Sequence, residues 1–171
     1  MSDWDKVKDL ELEIDGYSFE RLERDVSSDF TRVTTIITLR GGGQEGQGED
    51  VVYAVEDQDA ALAAGPPPLA GRYTLGTFSE HLATFDLFPT APENPAMRLY
   101  RTWAYESAAL DLALRQAGTS LHAHLGRESR PVTYVVSLRL GEPPSLAPVT
   151  GRLDRYPSLR FKLDPTSSWT E

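Results

Sequence analysis

The end of the chain carries two β-rich runs whose separation limits the folds available to it. Residues 132–138 (Val-Thr-Tyr-Val-Val-Ser-Leu) are almost continuously apolar or β-branched, which is typical of a strand covered on both faces in a parallel sheet. Residues 159–163 form a shorter run after about twenty residues, and parallel strands need a crossover of a dozen or more residues. The sequence therefore predicts two parallel strands with no third strand after them.

The last residues predict that this sheet is incomplete. Residues 168–171 (Ser-Trp-Thr-Glu) have the spacing of a capping box, the signal of a helix N-terminus. The chain thus ends where a helix should begin, and we expect it to be the front part of a larger α/β protein. Because two open strands leave unpaired edges and uncovered apolar faces, we expect the isolated chain to dimerise, aggregate or pack against another polypeptide that carries further strands.

The first fifty residues predict an antiparallel meander. Leu10, Leu12 and Ile14 alternate with acidic residues, the period-two pattern of a half-buried strand. Residues 33–39 are rich in β-branched side chains, which favours a second strand. The glycine-rich segment 41–48 then leads into Val-Val-Tyr, and we interpret this segment as the second turn of the meander.

The middle of the chain predicts three helices. Residues 55–64 are alanine-rich and are followed by Gly65 and three prolines, a stop signal. Thr77 and Glu80 have the spacing of a capping box that would begin a second helix. The longest helix is predicted over residues 96–117, with Gly118 as its C-cap. Its buried face is predicted to consist of Tyr100, Trp103, Ser107, Leu110, Leu114 and Ala117.

Composition and charge exclude several classes of protein. With 40% hydrophobic and 25% charged residues, the chain has an ordinary globular composition. Its formal charge of −9 opposes binding to nucleic acids or anionic membranes, which need a cationic face. The absence of cysteine excludes disulfides, thiolate metal sites and cysteine nucleophiles. No signal peptide or membrane span is evident, and we expect a cytoplasmic protein.

Two motifs that often bind cofactors or metals have the wrong context in this chain. Residues 41–46 match G-x-G-x-x-G, but no helix follows whose N-terminus could receive a pyrophosphate, so a hairpin is favoured. His122 and His124 lie two apart in a helical region and point to different sides, which favours surface or packing roles over metal binding. Glu106 and Asp111 do not share a helix face, and we expect them to be packing partners.

The remaining candidates for catalysis lie in the last β-rich run. In a strand, Lys162 and Asp164 point to the same side, and the carboxyl end of a barrel strand is a typical catalytic position. The alternative is a local ion pair, which these residues by themselves favour. Lys162 and Asp164 nevertheless remain the candidate catalytic residues, and the sequence identifies no metal ligand or cofactor-binding residue.

Several segments, taken in order, resemble the enolase superfamily, and most closely its mandelate racemase and muconate-lactonizing-enzyme branch. Residues 46–50 (Gly-Gln-Gly-Glu-Asp) resemble the family's G-x-G-E turn, and residues 103–126 resemble the helix that leads into the barrel. Residues 132–137 and 161–164 resemble barrel strands one and two. The family's second strand commonly reads Lys-x-Lys with the second lysine as base, whereas this chain has Asp164 at that position.

The resemblance implies an α+β chain with a capping domain of antiparallel meander plus helices, followed by the start of an incomplete (β/α) barrel. The boundaries would be residues 1–117 and 118–171. Loops near residues 24–31 and 50–58 would close over a small carboxylate substrate. A full-length relative would be a lyase or isomerase in which Mg²⁺ stabilises the enediolate formed when a base removes the proton α to the carboxylate.

In such a family the metal ligands lie on later barrel strands. We therefore expect this chain to hold no cofactor and to be inactive by itself. Its expected partners are the remainder of the barrel or a second copy, with no nucleic acid and no membrane. The alternative is a non-catalytic binding or scaffold protein that retains the capping fold.

Overall fold

The computed structural model describes residues 2–27, 30–165 and 169. The chain divides into two compact units, Met1–Glu128 and Ser129–Glu171. The boundary predicted from the sequence, between residues 117 and 118, lies earlier, at the end of the longest helix. The helix predicted to begin at residues 168–171 lies outside the described residues, apart from Trp169.

The N-terminal unit is an α+β fold, which confirms the predicted class. Its elements are α1 (Asp3–Val7), β1 (Glu11–Ile14), β2 (Gly16–Ser27), β3 (Phe30–Gly41), β4 (Gln44–Asp50), α2 (Val55–Ala64), β5 (Gly71–Thr74), α3 (Leu75–Leu82), α4 (Met97–Gln116) and α5 (Leu121–His124). Strands β2, β3 and β4 form an antiparallel meander in that order, and β1 pairs with β5 in a second antiparallel sheet. The first predicted strand is therefore present but lies outside the meander.

The glycine-rich segment is a strand for most of its length, and not the loop that the sequence suggested. Only Gly42 and Gly43 form the turn between β3 and β4, with positive φ angles of 57° and 75°. Gly46 and Gly48 lie within β4, directly under helix α4. A Cβ atom at Gly48 would lie 2.0 Å from the carbonyl oxygen of Ala104. The glycines thus allow the backbone of α4 to lie on the strand.

This close approach determines which face of α4 is buried. Ala104, Ala108 and Leu112 are almost completely inaccessible, whereas Trp103 is 56% exposed. The predicted face was right at Leu114, which is buried, but wrong at Trp103, Ser107 and Ala117, which are exposed. Small residues such as Ala104 are required where a helix backbone meets a glycine strand. The core of the unit lies between this face, the meander and α3, and its least exposed apolar members include Leu39, Leu69, Phe78 and Leu112.

The N-cap of helix α3 lies three residues before the predicted one, Thr77. Thr74 is the N-cap, and its hydroxyl accepts from the backbone N–H of Thr77 at 3.2 Å. The helix ends at Leu82, so Phe85 and Phe88, which continue the helical spacing in the sequence, lie in the loop that follows. Residues 51–53, predicted to be a strand, also lie in a loop.

The C-terminal unit contains a single pair of strands in its described part. The elements are β6 (Val136–Leu138), α6 (Ala147–Leu153) and β7 (Phe161–Leu163). The two strands are parallel, as predicted, with Ser137 opposite Lys162. The predicted coverage of residues 132–138 on both faces was wrong, because Val132 and Tyr134 are 72% and 82% exposed and only the last three residues are paired.

The described residues form no closed barrel. Among the helices of these residues, none has the length and apolar character needed to cross a membrane.

Candidate functional site

The two predicted catalytic residues meet on the exposed side of strand β7. The Nζ atom of Lys162 lies 2.5 Å from Oδ1 of Asp164, and both side chains are largely exposed. The hydrogen bond from Lys162, together with its charge, lowers the pKa of Asp164 below the ordinary 3.8. A carboxylate stabilised in this way is a weaker base. The geometry is that of a local ion pair, the alternative that the sequence left open.

The side of the sheet that carries Lys162 also carries other basic residues, because of the register between β6 and β7. Because Ser137 lies opposite Lys162, the two side chains share a face, and the alternation of a strand adds Arg139 and Arg160 to it. All four residues are exposed. Arg139 is close enough to Asp164 to contribute to the lowering of its pKa. We call Ser137, Arg139, Arg160 and Lys162 the basic face.

The other side of the strand pair is only partly covered. Val136, Leu138, Phe161 and Leu163 are half-buried, and the residues that precede β6 are open to solvent. Leu140 is the one buried hydrophobic residue in the described part of this unit. The strand pair therefore exposes both a charged and an apolar surface.

The N-terminal unit contains a polar groove of about 780 Å³ beside β1. Its floor includes Gln116, the last residue of α4. The Gln116 amide accepts from the N–H of Glu13 at 3.0 Å and donates to the carbonyls of Glu13 and Gly41 at 2.8 and 3.0 Å. Arg72 on the rim pairs with Glu13 at 2.9 Å. These groups satisfy one another, and their contacts point to no particular ligand.

A buried polar network lies between β4, α2 and α4, and the sequence interpretation missed it. Arg101 pairs with Asp50, while Gln58 donates to the carbonyls of Asp50 and Val52 at 3.0 and 3.1 Å. Thr35 donates to Oε1 of Gln58 at 2.8 Å. The available signal was an arginine at an apolar position of the helix, four residues after Met97 and three before Ala104. Every polar group of Arg101 and Gln58 has a protein partner, so the network is a structural link.

The histidine pair and the acidic pair of α4 have packing contacts. Nε2 of His124 lies 2.9 Å from the carbonyl oxygen of Lys6, and the ring of His122 contacts Ser120. Glu106 accepts from Ser79 on α3, and Asp111 accepts from the backbone N–H of Gln47 on β4 at 3.0 Å. Within the described ranges, no three acidic or histidine side chains are grouped as a metal site would require.

The chain matches two family models that follow each other along the sequence. The model described as the N-terminal domain of a domain of unknown function, DUF8230, matches residues 5–124. The model described as the C-terminal domain of DUF8230 matches residues 128–171. No curated protein matches the chain.

These matches correct the resemblance to the enolase superfamily, which was wrong. The two models cover nearly the whole chain and belong to a different family. The motifs behind the resemblance were short, and the segment compared with the G-x-G-E turn is strand β4. The expected lyase or isomerase chemistry, the Mg²⁺ ion and the carboxylate substrate all depended on that resemblance and lose their basis with it.

Proposed function

The chain belongs to the DUF8230 family, and we propose that it is a non-catalytic assembly module. In this proposal the N-terminal unit is a rigid scaffold. The C-terminal unit offers its parallel strands to another polypeptide segment, which completes the sheet. The finer description of the fold, in which β6 and β7 begin a larger sheet, is part of the same proposal.

The observation that carries the proposal is a parallel strand pair in a unit with almost no core. Each strand contributes three residues, and Leu140 is the one buried hydrophobic residue of the described part. Parallel sheets occur almost only with both faces covered, and two-stranded sheets are marginal in water. A unit of this size that buries so little apolar surface gains little stability by itself. A further polypeptide surface would supply what is missing.

The N-terminal unit supplies the contrast. Its apolar residues form a continuous core in which Leu39, Phe78 and Leu112 are fully buried. One core is formed by the three-stranded meander together with helices α3 and α4. The unit therefore has the features of an independently stable fold. This contrast supports a division of roles between a stable scaffold and an incomplete docking unit.

The arrangement of Lys162 and Asp164 favours assembly over catalysis. The two side chains are exposed to water and are paired with each other. Catalytic groups gain most of their effect in sites that exclude water and hold the charges in fixed positions. An exposed ion pair on a strand of three residues provides neither condition.

Amide hydrogen exchange on the full chain tests the proposal. We expect the amides of residues 136–138 and 161–163 to exchange far faster than those of β3 and α4 in dilute protein, because no further described strand pairs with β6 or β7. As the protein is concentrated, exchange in residues 132–138 should slow in step with an increase in mass measured by sedimentation. In concentrated protein a second copy takes the place of the partner segment on the strand pair.

A proline variant sharpens this experiment. Thr133 lies before β6 and makes no strand pairing, so Thr133→Pro should leave the free chain unchanged while it blocks pairing with a partner strand. Ser129→Pro, in the exposed segment before it, is the matched control. A chain that stays monomeric at all concentrations, with residues 136–138 as protected as β3, contradicts the proposal.

A further inference from the structure

The basic face has a charge excess that distinguishes it from the rest of the molecule. Of the 26 acidic and 17 basic residues of the chain, only four acidic but six basic residues lie in Ser129–Glu171. Three of those six are on the basic face, namely Arg139, Arg160 and Lys162. Lys162 is paired with Asp164, whereas Arg139 and Arg160 form no salt bridge within the described part of the chain. The face thus carries two cations that are available to a partner.

The opposite side of the same strand has an apolar character. Residues 132–135 precede β6, and their side chains would alternate between the two faces if the strand extended toward the N-terminus. Val132 and Tyr134 would then join Val136 and Leu138 on the apolar side, while Thr133 and Val135 would join the basic face. The exposed fractions of Val132 and Tyr134, 72% and 82%, show how much apolar surface is available there. A strand beside β6 would meet apolar side chains on one face. On the other face it would meet Arg139 at the end of β6, with Arg160 and Lys162 one strand further away on β7.

These two surfaces define the chemistry of the partner. We infer that an acidic segment of another polypeptide, with alternating carboxylate and apolar side chains, adds as a strand to the free edge of β6 along residues 132–138. Its carboxylates lie on the side of the basic face, where Arg139 at the end of β6 and the long side chains of Arg160 and Lys162 on β7 attract them. Its apolar side chains face Val132, Tyr134 and Val136. Cross-strand pairs of opposite charge and pairs of apolar residues both stabilise such a sheet. This inference rests on the proposed assembly function and names its partner.

A polypeptide fits this surface better than a nucleic acid does. Phosphates would satisfy the two arginines but would leave Val132 and Tyr134 in water. The whole chain also carries a charge of −9, which repels a long polyanion. An extended peptide can instead satisfy the backbone groups of the β6 edge, the cations and the apolar side chains together.

Binding of synthetic peptides to the full chain tests the inference. The probe is a fluorescein-labelled peptide of alternating glutamate and valine, and its binding is followed by fluorescence anisotropy. The comparison probes are an alternating lysine–valine peptide, an all-glutamate peptide and a single-stranded DNA of equal charge. We expect the glutamate–valine peptide to bind at least about tenfold more tightly than each of the others, because it alone matches both faces.

Charge-reversal variants locate the site. The double variant Arg139→Glu with Arg160→Glu should weaken binding of the glutamate–valine peptide about tenfold or more, since attraction on the basic face becomes repulsion. The matched control is Arg152→Glu with Arg155→Glu, which changes the net charge of the same unit equally at exposed positions on and after α6. This control should bind the peptide within about twofold of the unchanged chain, and higher salt should weaken binding to both.

Several results overturn the inference. They are no binding of the glutamate–valine peptide at millimolar concentration, equal binding of the lysine–valine peptide, tighter binding of the DNA, or equal weakening in the two double variants. If the peptide fails while exchange in residues 132–138 still slows on self-association, the assembly function stands and only the acidic partner is wrong. If the free chain already shows full protection there, both proposals are wrong.

Discussion

Arg101 on α4 and Asp50 at the end of β4 form a salt bridge inside the N-terminal unit, with the Nε atom 2.7 Å from Oδ2. The two side chains are 1% and 5% exposed. The other guanidinium nitrogens donate to the carbonyls of Leu87 and Asp57, both at 2.9 Å, and the guanidinium lies 3.9 Å from the centre of the Phe88 ring. One side chain thus connects a strand, helix α2 and the segment before α4.

Removal of Arg101 should strongly destabilise the protein. Arg101→Ala leaves the Asp50 carboxylate buried without its guanidinium partner and frees two half-buried carbonyl groups, those of Leu87 and Asp57. Breaking a buried pair in this way typically costs about 3–5 kcal/mol. We expect a decrease of that size in the free energy of unfolding, measured by urea denaturation followed by circular dichroism.

The neighbouring exposed pair is the control for this variant. Arg98 on the same helix pairs with Asp86 at 2.7 Å, but the two side chains are 45% and 64% exposed. Because exposed pairs contribute roughly 0–1 kcal/mol, Arg98→Ala should change the free energy of unfolding by no more than that. Equal losses in the free energy of unfolding for Arg98→Ala and Arg101→Ala would show that burial does not increase the contribution of the Arg101–Asp50 pair to stability.

A methyl group at Gly48 should separate helix α4 from strand β4. The Cβ atom of Gly48→Ala would lie 2.0 Å from the carbonyl oxygen of Ala104, a backbone atom that cannot rotate away. Overpacking of this kind costs roughly 1–3 kcal/mol and sometimes more. We expect Gly48→Ala to lose at least about 2 kcal/mol in the free energy of unfolding.

Gly151 is the matched position for Gly48→Ala. It lies in α6, and a Cβ atom there would meet no atom within 4 Å. Since alanine favours a helix over glycine by roughly 0.5–1 kcal/mol, Gly151→Ala should be neutral or stabilising. A Gly48→Ala protein as stable as the Gly151→Ala protein would contradict the close approach of α4 to β4.

The stability of the protein should fall at high pH because of Tyr105. Burial raises the pKa of Tyr105 from its ordinary 10.0 to about 12; the charge of Arg101 acts to lower it and that of Asp50 to raise it. Because the pKa is higher in the folded state than in the unfolded state, folding is favoured by the neutral phenol of Tyr105. This contribution to the free energy of unfolding is fully present below pH 10 and is lost as the pH rises through about 12. The loss should reach roughly 2–3 kcal/mol in the free energy of unfolding, since one pKa unit corresponds to about 1.4 kcal/mol.

Tyr105→Phe isolates this effect. Phenylalanine has no ionisable group, so the decrease in stability between pH 10 and pH 12 should become smaller by that amount. Tyrosinate absorbance at 295 nm should show one tyrosine fewer titrating near pH 12 in the variant. An unchanged pH dependence would contradict the assignment to Tyr105.

The pKa of Asp164 should depend on Lys162. The Lys162 ammonium lowers the pKa of this carboxyl below 3.8, chiefly through their hydrogen bond. In Lys162→Met, carbon-detected NMR titration should show the Asp164 pKa moving up toward its ordinary value, and Lys8→Met should leave it unchanged. An Asp164 pKa that stays low in Lys162→Met would show that the ion pair is not its cause.

Local sequence signals correctly predicted the ends of elements that are set by residues next to them in the sequence. Gly65 and the prolines after it end α2 at Ala64, as predicted, because those residues cannot continue a helix. Gly118 follows α4 with a positive φ of 63°, which glycine adopts without strain. The length of the connection between the last two runs likewise predicted that β6 and β7 are parallel.

Local signals failed where two choices satisfied the same rule. Both Thr74 and Thr77 have capping-box spacing, and the structure uses Thr74 because strand β5 ends there. The N–H of Leu75 donates to the carbonyl of Leu10 at 2.9 Å, which fixes the start of α3 against β1. A partner sixty-five residues away in sequence is therefore what selected one local signal over the other.

The candidate site shows the same division. The sequence by itself determined that Lys162 and Asp164 share one side of a strand, since side chains in a strand alternate with a period of two. The same alternation includes Arg160, but only the tertiary structure decided that Arg139 joins them, because that depends on the register of β6 against β7. It also decided that Ala104 and not Trp103 faces the core, because Gly46 and Gly48 leave room for a backbone and not for an indole ring. Residues close together in the sequence determine where an element ends and which of its side chains share a side. Which side is buried depends on contacts with residues far away in the sequence, and no local pattern contains that information.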